Sequence, residues 1–310
     1  LMLSSGLLWV IWSLVTPAAP IDKITTRLLI ILAVAVLATG VSPVPIAATK
    51  GLLKLLSYLG VYALIHKLLI HQQAWWDRLL AGLLTGGLVS CVLALRQLYA
   101  STEELARWAD PNSMSAGAIR IYGPLGNPNL LAGYSLPLVP LAAIALLRWK
   151  GFGSRLFAGV TLVLTTVATM LTYSRGGWLG LTAGLSVVVL LLLVRSTQTW
   201  PLIWRRLLPL AVLLVGVVVL VVAATHFEPI RTRIGSLLAG RGDSSNNFRI
   251  NVWFAAAEMV RDSPWLGIGP GNAAFNSIYP LYQQPKFNAL SAYSVPLEIL
   301  VEMGIPGLIA

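Results

Sequence analysis

The residues of this chain best suited to chemistry are arginines and carboxylates set beside glycine- and asparagine-rich turns. Arg175 lies in Tyr173-Ser174-Arg175-Gly176-Gly177-Trp178, a very short polar link between two apolar runs. A guanidinium offers a planar fork of donors that matches a phosphate or a carboxylate. An arginine fixed there is therefore a candidate anion site, and a snorkelling arginine in a helical hairpin turn is the equally weighted alternative. Arg249 lies in the run from Ser244 to Asp262. That run reads as a helix with Phe248, Val252, Ala255 and Met259 on one face, capped by Ser245 or an adjacent asparagine and closed by Pro264. A cation in its first turn opposes the helix dipole, which points to a role beyond helix stability; the commoner reading is an exposed surface arginine.

The remaining candidates are weaker. Arg120-Ile121-Tyr122-Gly123-Pro124-Leu125-Gly126-Asn127-Pro128-Asn129 precedes an apolar run. Asn127 or Asn129 can cap the helix that follows and Pro128 fits its first turn, so a structural loop is favoured over a helix end turned toward an anion. Glu298 and Glu302 are spaced to share a helix face. They either serve a site or complement the positive helix end at an interface, and the second is slightly favoured. Gly267-Ile268-Gly269-Pro270-Gly271-Asn272 lacks the strand of a dinucleotide fingerprint and reads as a tight turn; Arg241-Gly242-Asp243 is a polar turn.

The elements that must position these residues are membrane helices. The 310 residues are 57% hydrophobic and 11% charged, with a mean hydropathy of +0.79. A soluble domain carries about 25% charged residues. The net charge of +11 follows from basic residues collecting at helix ends, and no aromatic-interleaved basic face invites nucleic acid. A lone Cys91 excludes a disulfide framework, and His66, His71 and His226 form no metal-ligand spacing, so no metal or cofactor is expected. No signal-peptide pattern is present. The chain begins and ends inside apolar runs and is expected to be a fragment trimmed at both ends.

At about 20 residues per crossing, spans fall at Leu1–Val15, Leu28–Pro43, Leu52–Leu69, Leu79–Leu98, Leu130–Leu147, Leu156–Thr172, Trp178–Val194 and Leu207–Thr225. The second is expected to tilt or break at Ser42-Pro43-Val44-Pro45. The expected division is a bundle of about eight helices over 1–226, a large loop over 227–294 with its amphipathic helix, and the start of a further transmembrane helix over 295–310. Short loops with Lys23 and Arg27, Lys67 and Arg78, Arg148, Lys150 and Arg155, or Arg195, Arg205 and Arg206 are cytoplasmic by the positive-inside rule. The long loop from Phe227 to Ser294 is then extracytoplasmic, in a multi-pass protein of the inner (plasma) membrane. The halves show no matched broken helices of an inverted-repeat transporter. The hydroxyls of Thr161–Thr172 are common enough in membrane helices to bond their own backbone.

Several of these motifs carry a family likeness. The Ser-Arg-Gly-Gly turn, the Phe-Arg-Ile-Asn-Val-Trp helix, the Pro-Trp-Leu-Gly-Ile-Gly-Pro-Gly-Asn turn and the Pro-Leu-Glu-Ile-Leu-Val-Glu-Met-Gly-Ile-Pro-Gly run resemble the O-antigen ligase and polymerase superfamily from Arg120 onward. With Ser42-Pro43-Val44-Pro45 and Asn127-Pro128-Asn129, the whole chain most resembles its cyanobacterial IctB branch, named for bicarbonate transport. The resemblance implies an all-α, polytopic transmembrane bundle similar to type-C glycosyltransferases. Its ligases move a glycan from a polyprenyl diphosphate to a lipid acceptor outside the cytoplasmic membrane. It implies Arg175 and Arg249 as diphosphate-binding arginines; Asn127 and Asn129, read from their own loop, are candidates for support. Where ligases place a histidine base, this sequence has Tyr293, so Glu298 or a Tyr293 of lowered pKa would take the proton. The alternative is a bicarbonate transporter or an accessory to inorganic-carbon uptake. A third reading is a scaffold that has lost catalysis. The expected partners are membrane lipids and either the lipid-linked glycan or bicarbonate.

Overall fold

The computed structural model describes residues 21–72, 74–99, 120–196, 200–201, scattered positions between 203 and 218, 240–242 and 244–310. Among them the chain is helical and contains no strand. Six segments are long and apolar enough to cross a membrane: Lys23–Gly40, Pro45–His71, Trp75–Tyr99, Pro128–Arg148, Phe152–Leu171 and Arg175–Ser196. They correspond to six of the spans read from hydropathy. The expected span Leu1–Val15, most of Leu207–Thr225, the bulk of the Tyr99–Asn129 loop, His226 and the start of the long loop lie outside the described residues.

Local signals explain the helix ends. Helix α1 (Lys23–Gly40) is capped by Asp22, whose carboxylate accepts the Thr25 N–H at 2.7 Å. It stops ahead of Ser42-Pro43, and α2 (Pro45–His71) restarts with proline in its first turn. The break expected at this motif is therefore present, and α2 starts earlier than hydropathy alone places it. Helix α3 covers Trp75–Arg96. The span expected at Leu130–Leu147 forms as two helices, α4 (Pro128–Ser135) and α5 (Leu138–Arg148), because Pro137 has no N–H to continue the ladder. Helices α6 (Phe152–Leu171) and α7 (Arg175–Ser196) follow. The amphipathic helix appears as α8 (Ser244–Asp262), which starts earlier than expected, so Ser245 lies inside it rather than capping it and Arg249 is its sixth residue, beyond the first turn; then come α9 (Asn272–Ile278) and α10 (Val295–Ile309).

Packing groups these elements into two compact units, Leu1–Trp75 with Gly240–Ala310, and Trp76–Ala239. In the first, α8 packs on α10, α9 on α2, and α10 on α1. Its core joins Ala48 of α2 to Val252, Ala255, Ala256 and Met259 of α8 and to Phe275, Tyr279 and Val301. The apolar face anticipated for α8 is the one buried, with Phe248 packed at its edge. The rings of Phe275 and Tyr279 stack with centroids 5.0 Å apart. A second cluster sets Ala35 and Ala38 of α1 against Met303.

Helix α10 is not continuous. Gly304 adopts φ 66° and ψ −164°, so the carbonyls before it lose their helical partners. The glycine-rich loop takes them up: Ile268 N–H donates to the Val301 carbonyl at 2.9 Å and Gly269 N–H to that of Glu302 at 3.0 Å. In return Ile305 N–H donates to Pro264 at 2.9 Å. Gly267, Gly269 and Gly271 all have positive φ, as the expected tight turn requires.

In the second unit α5 and α6 form the most extensive pair, and α4, α6 and α7 pack mutually. Leu84, Leu138, Ala142, Ala145 and Ala158 form one buried cluster. Cys91, Ala94, Ile121, Leu131 and Ala168 form another. The buried side chain of Gln97 fastens the loop before α4, its Oε1 accepting from Tyr122 N–H at 3.0 Å and Gly123 N–H at 2.9 Å.

Candidate functional site

Each unit gathers its own set of candidate residues. In the second unit the focus is the turn between α6 and α7. The Ser174 hydroxyl accepts the Gly177 N–H at 3.3 Å and so caps α7, leaving Arg175 as that helix's first residue. Arg175 is half-buried, at a position where a cation opposes the helix dipole. A Cβ on Gly177 would sit 2.9 Å from that of Ala132, so the glycine permits close approach of α7 to α4. Tyr173 takes a left-handed backbone, φ 49°, uncommon for a bulky residue, and its ring tilts against Trp178 at 5.9 Å.

Arg120 locks the preceding loop onto this turn. Its Nε donates to the Thr172 carbonyl at 2.9 Å and its Nη2 to Asn129 Oδ1 at 3.3 Å, while Ile121 N–H reaches the Leu171 carbonyl at 3.3 Å. Asn127 caps α4 by accepting the Asn129 N–H at 2.8 Å. The structural role favoured for this loop is thus realised, and Arg120, not singled out from sequence, is its bracing residue. The available signal was an arginine sharing one loop with two asparagines.

The first unit collects Arg249, Tyr293 and the two glutamates. Arg249 is the neighbour of Phe248, and the Phe248 ring meets Tyr293 edge-on with centroids 5.7 Å apart. The loop leading to Tyr293 is held to α8 by Trp253 Nε1, which donates to the Ala292 carbonyl at 3.0 Å. Tyr293 is exposed and left-handed, with φ 51°. Tyr279 lies close by: its hydroxyl donates to the Phe287 carbonyl at 2.6 Å, and burial, with a smaller contribution from Tyr293, pushes its pKa up. Tyr279 is therefore a structural phenol.

Glu298 and Glu302 occupy the unbroken part of α10, half-buried, each within electrostatic range of Lys54 on α2. The Gly271 N–H is within hydrogen-bonding reach of the Glu302 carboxylate. Lys54 and Gly271 could not be linked to the glutamates by sequence spacing, because they come from distant segments. Arg175 and Arg249 fall in different units. The hydroxyls of Thr161, Thr165, Thr166 and Thr169 each donate to the carbonyl four residues back, at 2.7–2.8 Å. No group of His, Cys, Asp and Glu among the described residues could hold a metal ion.

These features define an all-helical, multi-pass membrane protein in which Arg175 opens a helix beside a polar turn. Residues 160–310 match the family model described as O-antigen ligase, so this half of the chain carries an O-antigen ligase-like region. No curated protein matches the chain, and no solved structure does.

Proposed function

We propose that the protein transfers a glycan from a polyprenyl-diphosphate donor on the extracytoplasmic face of the plasma membrane. The observation that carries this reading is the O-antigen ligase match over 160–310, which contains both arginine motifs. By the family likeness, Arg175 and Arg249 are each a candidate to bind the donor diphosphate and to neutralise it as it departs. An acceptor hydroxyl attacks the anomeric carbon, the bond from that carbon to the diphosphate oxygen breaks, and the electron pair leaves with the lipid diphosphate. The hydroxyl proton passes to a base, for which Glu298 and Tyr293 are the candidates. Because a diphosphate leaves with its charge stabilised electrostatically, donor binding contributes more than acid catalysis.

The long loop carries Arg249 and Tyr293 on the side where such donors are consumed. Bicarbonate transport is the competing reading, taken from the IctB likeness. It draws no support from α6, whose threonine hydroxyls are committed to their own backbone. The test is transfer of a labelled glycan from a polyprenyl-diphosphate donor by the full-length protein in liposomes. Arg175→Ala and Arg249→Ala should each lower the rate by about 10²-fold or more, with insertion unchanged. Unaltered transfer in both variants defeats the proposal. Labelled-bicarbonate flux lost in Arg175→Ala would assign the anion site to transport.

A further inference from the structure

The basic end of the α5–α6 hairpin carries a feature that glycan transfer does not use. A groove of about 770 Å³ runs between the two helices, lined by Lys150, Arg155, Leu156, Gly159, Val163 and Leu164 among others. Its floor follows one helical row of α6. Arg155, Gly159 and Val163 succeed one another at four-residue spacing, and Leu156 and Leu164 belong to the adjacent row. Gly159 deepens the groove at its middle, since a side chain there would project beside Leu146.

The charges at the mouth are selective. Arg148 is paired, its Nε 3.3 Å from Asp77 Oδ1, and the same oxygen accepts from Trp149 Nε1 at 3.0 Å. Asp77 is thereby spent. Lys150 and Arg155 have no carboxylate partner among the described residues, and both are exposed. The groove thus ends in two uncompensated cations and continues as an apolar channel. From Arg155 to Leu164 it extends about 14 Å at the helical rise, close to half of the roughly 30 Å hydrocarbon core. A cationic mouth, an apolar channel and a depth of one leaflet match a single molecular shape.

We propose that this groove binds an anionic diacyl phospholipid, the phosphate between Lys150 and Arg155 and one acyl chain along Gly159 and Val163. Basic pockets at helix ends take anionic headgroups through the same attraction that draws polybasic segments to lipid surfaces. Long Lys and Arg stems suit the boundary, since they lie along apolar surface while the charge reaches the headgroup.

The experiment is native mass spectrometry of the full chain released from nanodiscs containing phosphatidylglycerol and phosphatidylcholine with matched acyl chains. One phosphatidylglycerol should be retained in preference to phosphatidylcholine. The double variant Lys150→Gln/Arg155→Gln should lower that retention about tenfold or more. Gly159→Leu, which keeps both charges and fills the channel, should lower it as well. Thermal unfolding establishes that the variants fold. Should Gly159→Leu not fold, short-chain dihexanoyl phosphatidylglycerol replaces it as the test of the channel and should bind poorly. Equal retention of the two lipids overturns the proposal. So does loss only on charge removal with chain length and Gly159→Leu having no effect, and so does displacement of the lipid by inorganic phosphate or by a polyprenyl phosphate.

Discussion

The Ser42 hydroxyl donates to the carbonyl of Ile268, joining positions 226 residues apart. The same oxygen accepts the Val44 N–H at 3.1 Å, so one buried side chain both shapes the α1–α2 turn and fastens the glycine-rich loop. Replacing it with alanine leaves the Ile268 carbonyl buried without that partner. Ser42→Ala should cost about 1–3 kcal/mol, read as a lower unfolding temperature in detergent.

Gly51 makes a sharper test of the same contact. A Cβ there would run into the Pro270 carbonyl and the backbone of Gly271. Since the obstacle is backbone on both sides, Gly51→Ala should dislodge the loop and expose it to protease under native conditions. Gly82, in a helix with nothing near its absent Cβ, is the control: Gly82→Ala should leave stability equal or raise it by up to about 1 kcal/mol. Equal protease resistance in Gly51→Ala and the parent chain would refute the assigned packing.

Arg120 and Asn129 should behave as one unit. Thermal unfolding of Arg120→Ala, Asn129→Ala and the double variant should give a coupling energy of about 0.5–3 kcal/mol. Strict additivity would mean that the 3.3 Å bond between them contributes nothing. If bracing of the α6–α7 turn positions Arg175, Arg120→Lys should also weaken donor binding while leaving chain insertion intact.

Tyr293 is the residue where the proposed chemistry can be improved. Its φ of 51° lies in a region where histidine is enriched over other non-glycine residues, so Tyr293→His fits the backbone. An imidazole with a pKa near 6.5 is a far better base at neutral pH than a phenol near 10. The variant should transfer glycan up to about 10²-fold faster. Its rate should fall as pH drops through the imidazole pKa, because the protonated ring cannot accept a proton. A pH profile unchanged from the parent would show that position 293 does not touch the acceptor.

The sequence disclosed the membrane helices because a crossing needs a long apolar run, a property of one segment alone. It disclosed α8 for a similar reason: Val252, Ala255 and Met259 repeat with helical period and end before Pro264. The division at Pro137 was legible in principle, yet hydropathy averages over a single proline. The association of Ser42 and Ala48 with the far end of the chain was not legible, because nothing in a serine or an alanine names its partner. Arg120 was hidden differently. Its motif was seen, but asparagine and proline explained the loop so well that the arginine needed no role.

The interruption of α10 at Gly304 has a mechanical meaning. Straightening that helix would require giving up the bonds from Ile268 to Val301, from Gly269 to Glu302 and from Ile305 to Pro264, each worth about 0.5–1.5 kcal/mol. A glycine with positive φ is often a flexible joint, but this one is splinted on both sides. The bend is therefore a rigid elbow. Glu298 and Glu302 ride on one arm of it, so their placement relative to the glycine-rich loop is set when the chain folds and does not await a ligand.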